Sequence, residues 1–288
     1  MNGRPVARRS RTPLPGRRIR PVRRASAGLS AVRAGAALAM LISAAAIYGV
    51  GASSAFEYRK LQLDGVQLTD PTAIEAALVA ARGENLFRLS TGPLRSALER
   101  LSTVASARVE VRLPGTLAVT IDERQPVLVW QVGDRRYLAD AEGTLFSKAP
   151  DKAGAGTSAL PVVDDRRASS TSLAVGQRLA AVDLDAATRL ASLVPDDVGS
   201  SAVSLAVAVT DENGFIVTSL PGGWSGVFGF YTPSLRTTEL IPGQVRLLRS
   251  LLTGREQLVE RVILASETDG TYVPRATPSA TPKPSKTP

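Results

Sequence analysis

The chain has 288 residues, no cysteine, no histidine and a formal charge of +9. Without those two residue types there is no Ser-His-Asp triad, no Cys-His nucleophile, no ordinary zinc site and no disulfide framework. The excess charge is confined to one end: residues 1–33 hold ten arginines and no acid, whereas residues 57–288 hold 25 basic against 26 acidic side chains.

Residues 1–33 combine that charge with Pro5, Pro13, Pro15 and Pro21. Such a segment has no means of burying a core, so it reads as a disordered tail. Its arginines suit anionic lipid and mark the cytoplasmic flank of a membrane span. Nucleic-acid binding is not read from them, because no aromatic residue is interleaved and no folded module frames them. Ala34–Phe56 follows, AGAALAMLISAAAIYGVGASSAF, 23 residues without charge or proline. A helix of that length crosses a hydrocarbon core of about 30 Å. A buried helix of a soluble domain is the weakest alternative, since nothing N-terminal to it could cover it. A cleaved signal also competes, because Ala52-Ser53-Ser54-Ala55 offers small residues to a peptidase. The long leader and an apolar run beyond the usual 7–15 residues favour an uncleaved anchor. The expectation is a single-pass protein of type II, N-terminus inside and the rest outside.

Residues 57–126 have the pattern of a small α+β unit. Leu61 and Leu63 precede Gly65, as in a short strand entering a turn. Asp70-Pro71 opens a helix as N-cap and first helical residue, with Ile74, Ala77, Leu78 and Ala81 on one face and Gly83 as the stop. Pro93 starts a second helix through Leu94, Ala97, Leu98 and Leu101. The period then drops to two: Ala107, Val109, Val111 and Leu113 oppose Arg108, Glu110 and Arg112. Pro114-Gly115 turns the chain, and Leu117, Val119 and Ile121 alternate back. The order is strand, helix, helix, strand, strand. Glu123-Arg124 with Pro126 then reads as a hinge ion pair between two domains.

Residues 127–273 read as a second domain, a mixed α/β sheet. Val127–Val132, Arg136–Leu138 and Thr144–Ser147 are strands, and Pro150–Ser158 is a flexible loop. Asp164-Asp165 before Arg166-Arg167 reads as a solvated mixed-charge run. Leu179–Leu193 is helical, Asn213-Gly214 turns a hairpin between Val203–Val209 and Phe215–Leu220, and Trp224–Tyr231 is a further strand. A last helix after Pro242 leads to a final strand at Arg261–Leu264, with a continuation toward Val273. Residues 274–288 are a Pro/Thr-rich disordered tail.

Together, Leu113-Pro114-Gly115-Thr116-Leu117, Asp122-Glu123-Arg124-Gln125-Pro126 and the loop Arg82-Gly83-Glu84-Asn85-Leu86-Phe87 form a specific signature. With the basic tail and single span, it resembles the FtsQ/DivIB family of bacterial cell-division proteins. Tyr137-Leu138-Ala139-Asp140 and Gly143-Thr144-Leu145-Phe146 match a hairpin of the same family. The resemblance implies that the βααββ unit is a POTRA domain. It further implies a non-enzymatic scaffold at the division septum, binding FtsB/FtsL-type coiled-coil proteins and linking them to septal peptidoglycan synthesis. No catalytic residue, metal or cofactor is expected. The competing class is a membrane-anchored or secreted wall enzyme using paired carboxylates, for which no acidic pair stands in an apolar frame.

The expected partner-binding site is the last strand, Arg261, Val262, Ile263 and Leu264, taken as an uncovered sheet edge. Trp224 and Tyr231 are expected to be its aromatic anchors. The competing reading of this aromatic run is that its rings fill the core.

Overall fold

The structure, a computed structural model, describes residues 31–150 and 160–276. The basic tail, the loop after Pro150 and the Pro/Thr tail therefore lie, apart from a few flanking residues, outside the described residues. Residues 1–52 and 53–288 form two separate units.

In the first unit, α1 (Ala31–Ala52) is a 22-residue helix that buries nothing and is long and apolar enough to cross a membrane. It ends four residues before Phe56. Ser53 turns to an extended conformation (φ −78°, ψ 132°) and its side chain caps a short 3-10 turn over Ser54–Phe56.

In the second unit the chain first builds a three-stranded sheet. Its elements are β1 (Lys60–Asp64), α2 (Pro71–Ala77), α3 (Thr91–Glu99), β2 (Val104–Arg112) and β3 (Thr116–Glu123). The strand order is β1-β3-β2, with β1 parallel and β2 antiparallel to β3. A parallel neighbour requires a crossover, and the two helices supply it. Asp70 caps α2 by accepting from the Thr72 N–H at 2.9 Å, with Pro71 in the first helical position. Ile74, Leu78, Leu94 and Leu98 close over Leu117, Val119 and Ile121 in one core. Gly65 (φ +79°) admits no substitute, since a Cβ there would stand 2.1 Å from the Ile121 carbonyl oxygen.

The remainder forms a nine-stranded sheet. Its strands are β4 (Leu128–Val132), β5 (Arg135–Ala139), β6 (Leu145–Lys148), β7 (Val162–Asp165), β8 (Ser204–Thr210), β9 (Gly214–Leu220), β10 (Ser225–Gly229), β11 (Val259–Leu264) and β12 (Gly270–Pro274). They stand in the order β12-β11-β10-β9-β8-β7-β4-β5-β6. Helix α4 (Ala181–Ala191) connects β7 to its parallel neighbour β8, and α5 (Ile241–Leu252) connects β10 to parallel β11. Ala187 and Leu190 of α4 and Leu248 of α5 bury Val163, Val207, Val217 and Phe228 in the main core. A smaller cluster of Val129, Leu138, Phe146 and Ala149 packs separately, with Leu160 against it. The architecture is α+β throughout.

Two sequence expectations change here. Asp164-Asp165 is no solvated loop: both residues end strand β7, and Asp165 is only 1% exposed. The strand at Arg261–Leu264 is not the last. The chain turns at Ser266–Asp269 and returns as β12, which pairs antiparallel to β11. The continuation toward Val273 is thus a separate strand.

Candidate partner-binding edge and domain junction

Strand β11 lies between β10 and β12, so its backbone has a neighbour on either side. Val262 and Leu264 are buried in the main core, whereas Arg261 and Ile263 are exposed. The expected edge at Arg261, Val262, Ile263 and Leu264 is therefore corrected. An edge needs one side without a strand, and among the described residues β12 has that side at this end of the sheet, as β6 has at the other.

The hydrogen bonds around β12 identify which of its groups face outward. The Ala265 N–H donates to the Asp269 carbonyl at 2.9 Å, and the Arg275 N–H donates to the Leu258 carbonyl at 2.8 Å. Antiparallel pairing alternates bonded and non-bonded residues, so Thr271 and Val273 bond to β11. Gly270, Tyr272 and Pro274 then turn their backbone groups away from the sheet. Pro274, which has no N–H to offer, occupies one of these outward positions. Tyr272 is 45% exposed and Val273 41%, an apolar rim along the open strand.

Trp224 and Tyr231 do not stand on that rim. Trp224 is 1% exposed; its indole N–H donates to Glu256 Oε1 at 3.0 Å and to Ser200 Oγ at 3.1 Å. Glu256 also accepts from the Ser200 hydroxyl and from the Ser201 N–H and hydroxyl. Burial pushes its carboxyl upward, but these donors outweigh it and hold it below the ordinary glutamate value. The Tyr231 hydroxyl donates to Gln244 Oε1 at 2.7 Å, both residues being buried, and burial raises the phenol above its usual range. Both rings thus fill the core with their polar ends satisfied, as buried Trp and Tyr require. The anchor role is corrected for both. Phe228 is fully buried too, whereas Phe230 is 48% exposed.

At the junction of the two sheets, Glu123 and Arg124 do not pair with each other. Neighbours on an extended chain point to opposite sides, and each finds its own partner. Glu123 accepts backbone N–H groups from Gln67 (3.0 Å), Leu68 (2.8 Å) and Thr69 (2.7 Å), clamping the β1–α2 loop to the end of β3. Arg124 donates to Asp140 Oδ2 at 2.6 Å and to the Ser102 carbonyl at 3.1 Å, tying the α3–β2 turn to the start of the β5–β6 turn. Asp140 is 2% exposed and also accepts from the Thr144 N–H at 2.7 Å. The motif is therefore two fixed clamps, with Pro126 between them and β4.

The Glu123 clamp predicts an acid-sensitive step. Burial opposes its charge, yet the hydrogen bonds from residues 67–69 hold the carboxyl below its ordinary value. A depressed carboxyl contributes stability that is complete above the unfolded glutamate value, about 4.3, and fades as pH falls through the folded value. Glu123→Gln is expected to cost about 1–3 kcal/mol at pH 7, since an amide cannot accept all three N–H groups. It is also expected to flatten the fall in melting temperature below about pH 4.3. An acid limb equally steep in the variant would show that Glu123 is not its source.

Elsewhere, a cleft of about 450 Å³ opens at the C-terminal ends of β4 and β7, lined by Gln131, Asp134, Asp164, Asp165, Arg166 and Arg167 among others. Its two strand-end carboxylates are already engaged, Asp164 by Arg166 at 2.7 Å and Asp165 by Arg167 at 2.8 Å. That arrangement suits a structural network, not proton transfer. Among the described residues, no group of three or more acidic side chains is placed to hold a metal ion.

Comparison with known proteins agrees with this architecture. Residues 56–124 match the family model described as POTRA domain, FtsQ-type. The chain is 29% identical over 172 residues to the cell division protein FtsQ of Mycobacteroides abscessus, covering 58% of this chain and 55% of that one. It is 26% identical over 246 residues to the FtsQ of Chloroflexus aurantiacus, covering 85% and 80%. With the FtsQ of Rickettsia bellii the identity is 29% over 102 residues, 35% and 38% of the two chains. The M. abscessus and R. bellii matches span about half or less of those relatives' own lengths. The signature from the Asn85-Leu86-Phe87 loop to the Glu123-Arg124 clamps lies within those matched residues. The chain thus carries a POTRA domain of the FtsQ type and is similar to FtsQ cell-division proteins over most of its length.

Proposed function

We propose that this protein is a non-enzymatic scaffold of the division machinery, anchored by α1 with its basic tail inside and residues 53–288 outside. In this reading it sits at the septum and captures FtsB/FtsL-type coiled-coil proteins, which it links to septal peptidoglycan synthesis. The POTRA domain (57–126) and the second domain (127–273) are its two presenting units, and the arginines of the tail hold anionic lipid. The observation that carries the reading is the open edge of β12. A strand with unpaired N–H and C=O groups and an apolar rim is a docking rail for an extended partner segment.

The test is co-purification of the full chain with single-pass coiled-coil division proteins. Tyr272→Pro removes an outward N–H and leaves the β11 pairing intact, so the protein should stay folded by circular dichroism and lose partner capture. Ile263→Pro, in contrast, removes a ladder bond inside the sheet and should lower the melting temperature. A folded Tyr272→Pro variant that captures partners as the parent does would rule out strand addition at β12.

A further inference from the structure

The second unit begins at Ser53, and its first residues are held by the unit itself. Ser53 follows the last helical residue directly, and Asn85 Nδ2 donates to the Ser53 carbonyl at 3.0 Å. The Leu86 N–H donates to the Phe56 carbonyl at 2.9 Å, and the Tyr58 N–H to the Glu84 carbonyl at 3.1 Å. Residues 53–58 are thereby stitched along the loop between α2 and α3. The same loop carries Phe87, whose ring meets Phe56 edge-on with centroids 4.8 Å apart and which is nevertheless 52% exposed. Arg59 is exposed and donates to the Ser54 carbonyl at 2.7 Å. Arg88 is exposed, with no carboxylate partner among the described residues.

Lengths decide what such a patch can touch. A 22-residue helix spans roughly 33 Å, slightly more than the hydrocarbon core, so a membrane-spanning α1 delivers Ser53 to the interface. Phe87 lies two residues beyond Asn85, which is bonded to Ser53, hence at most about 7 Å further along the chain. The headgroup layer is about 5–7 Å deep on either side of the core. An exposed aromatic residue at that depth, flanked by arginines, has the chemistry of a lipid-contact surface.

We propose that Phe87, with Phe56, Arg59 and Arg88, seats the POTRA domain on the lipid headgroups of the leaflet from which it emerges, with a preference for anionic lipid. The proposal rests on the reading of α1 as a membrane anchor. A domain so seated is held at a set height and angle above the bilayer, which limits where the β12 edge can meet its partners.

The absence of cysteine makes single labels clean. The full chain carrying Phe87→Cys, Tyr48→Cys or Leu235→Cys would be labelled with an environment-sensitive dye and placed in nanodiscs of phosphatidylcholine with or without phosphatidylglycerol. Tyr48 lies within α1, and Leu235, 93% exposed, lies in the β10–α5 loop. The label at 87 should shift to the blue and be quenched by nitroxide lipids, more so with the anionic lipid, while that at 235 stays in water. Arg59→Glu and Arg88→Glu should each lower the ratio of seated to free domain roughly five-fold. A label at 87 as wet as that at 235, with the label at 48 embedded, would overturn the lipid contact and leave the anchor standing. A wet label at 48 would overturn both. A shift at 87 that appears only with two copies per disc would assign the patch to self-association and overturn the lipid contact.

Discussion

Asp165→Ala is expected to destabilise the nine-stranded sheet by about 3–5 kcal/mol, the usual consequence of leaving a buried charge without its partner. Asp165 is the centre of a buried network behind β7. Its carboxylate accepts from the Trp130 indole N–H (3.2 Å), the Ser170 hydroxyl (2.6 Å) and the Arg167 guanidinium (2.8 and 2.9 Å). Arg167 in turn donates to Asp183 on α4 at 2.8 Å, so one arginine ties the end of β7 to the helix that covers it. Burial pushes the Asp165 carboxyl upward, and the bonds from Arg167 and Ser170 with the arginine charge more than reverse that. Its net value is depressed, so its contribution is complete above about pH 3.9 and lost below. Asp164→Ala is the control. That residue's arginine, Arg166, has a side chain 64% exposed, and such a pair is worth about 0–1 kcal/mol. Urea unfolding of the two variants should separate them clearly, and equal midpoints would refute the network.

Leu98→Ala is expected to cost about 2–5 kcal/mol, the range for a buried leucine truncated to leave a cavity. Leu98 is fully buried where α3 meets the sheet, among Ile74, Leu78, Leu94 and Val109. A domain's whole stability is about 5–15 kcal/mol, so this one side chain is a large fraction of it. The melting temperature should fall by roughly 4–20 °C. Arg108→Ala, exposed on the far side of β2, should move it by no more than a degree or two, consistent with surface changes within about 0.5 kcal/mol. Comparable losses from the two variants would mean that the register of β2 differs from Val109↔Val119.

Both experiments probe features with different origins. The POTRA-type unit is legible in residue order because its signals are local. Asp70-Pro71 caps its own helix, Ile74, Leu78, Leu94 and Leu98 recur at helical spacing, and Arg108, Glu110 and Arg112 alternate with apolar neighbours. Each of these depends on contacts within a few residues, which periodicity reports directly. The span, the one-sided arginines, the Asn213-Gly214 hairpin and the family signature are legible for the same reason.

Tertiary structure alone decided the rest, because each deciding partner is distant in the chain. Glu123 finds its donors at Gln67, Leu68 and Thr69, more than fifty residues away, and Arg124 finds Asp140 in the next sheet. Asp165 reads as solvated beside three other charges until Trp130 and Asp183 fold around it. The edge was misplaced for a similar reason. Gly270–Pro274 is short, with proline at one end and glycine at the other, and carries too little alternation to announce a strand. It becomes one because β11 presents a row of unpaired groups against which those five residues can bond. Whether a strand is an edge depends on what lies beside it in space, and residue order does not record that. Trp224 and Tyr231 follow the same logic. An aromatic side chain is equally at home in a core or on a binding rim, and the placement of Gln244 within α5 and of Glu256 just after it settled it for the core.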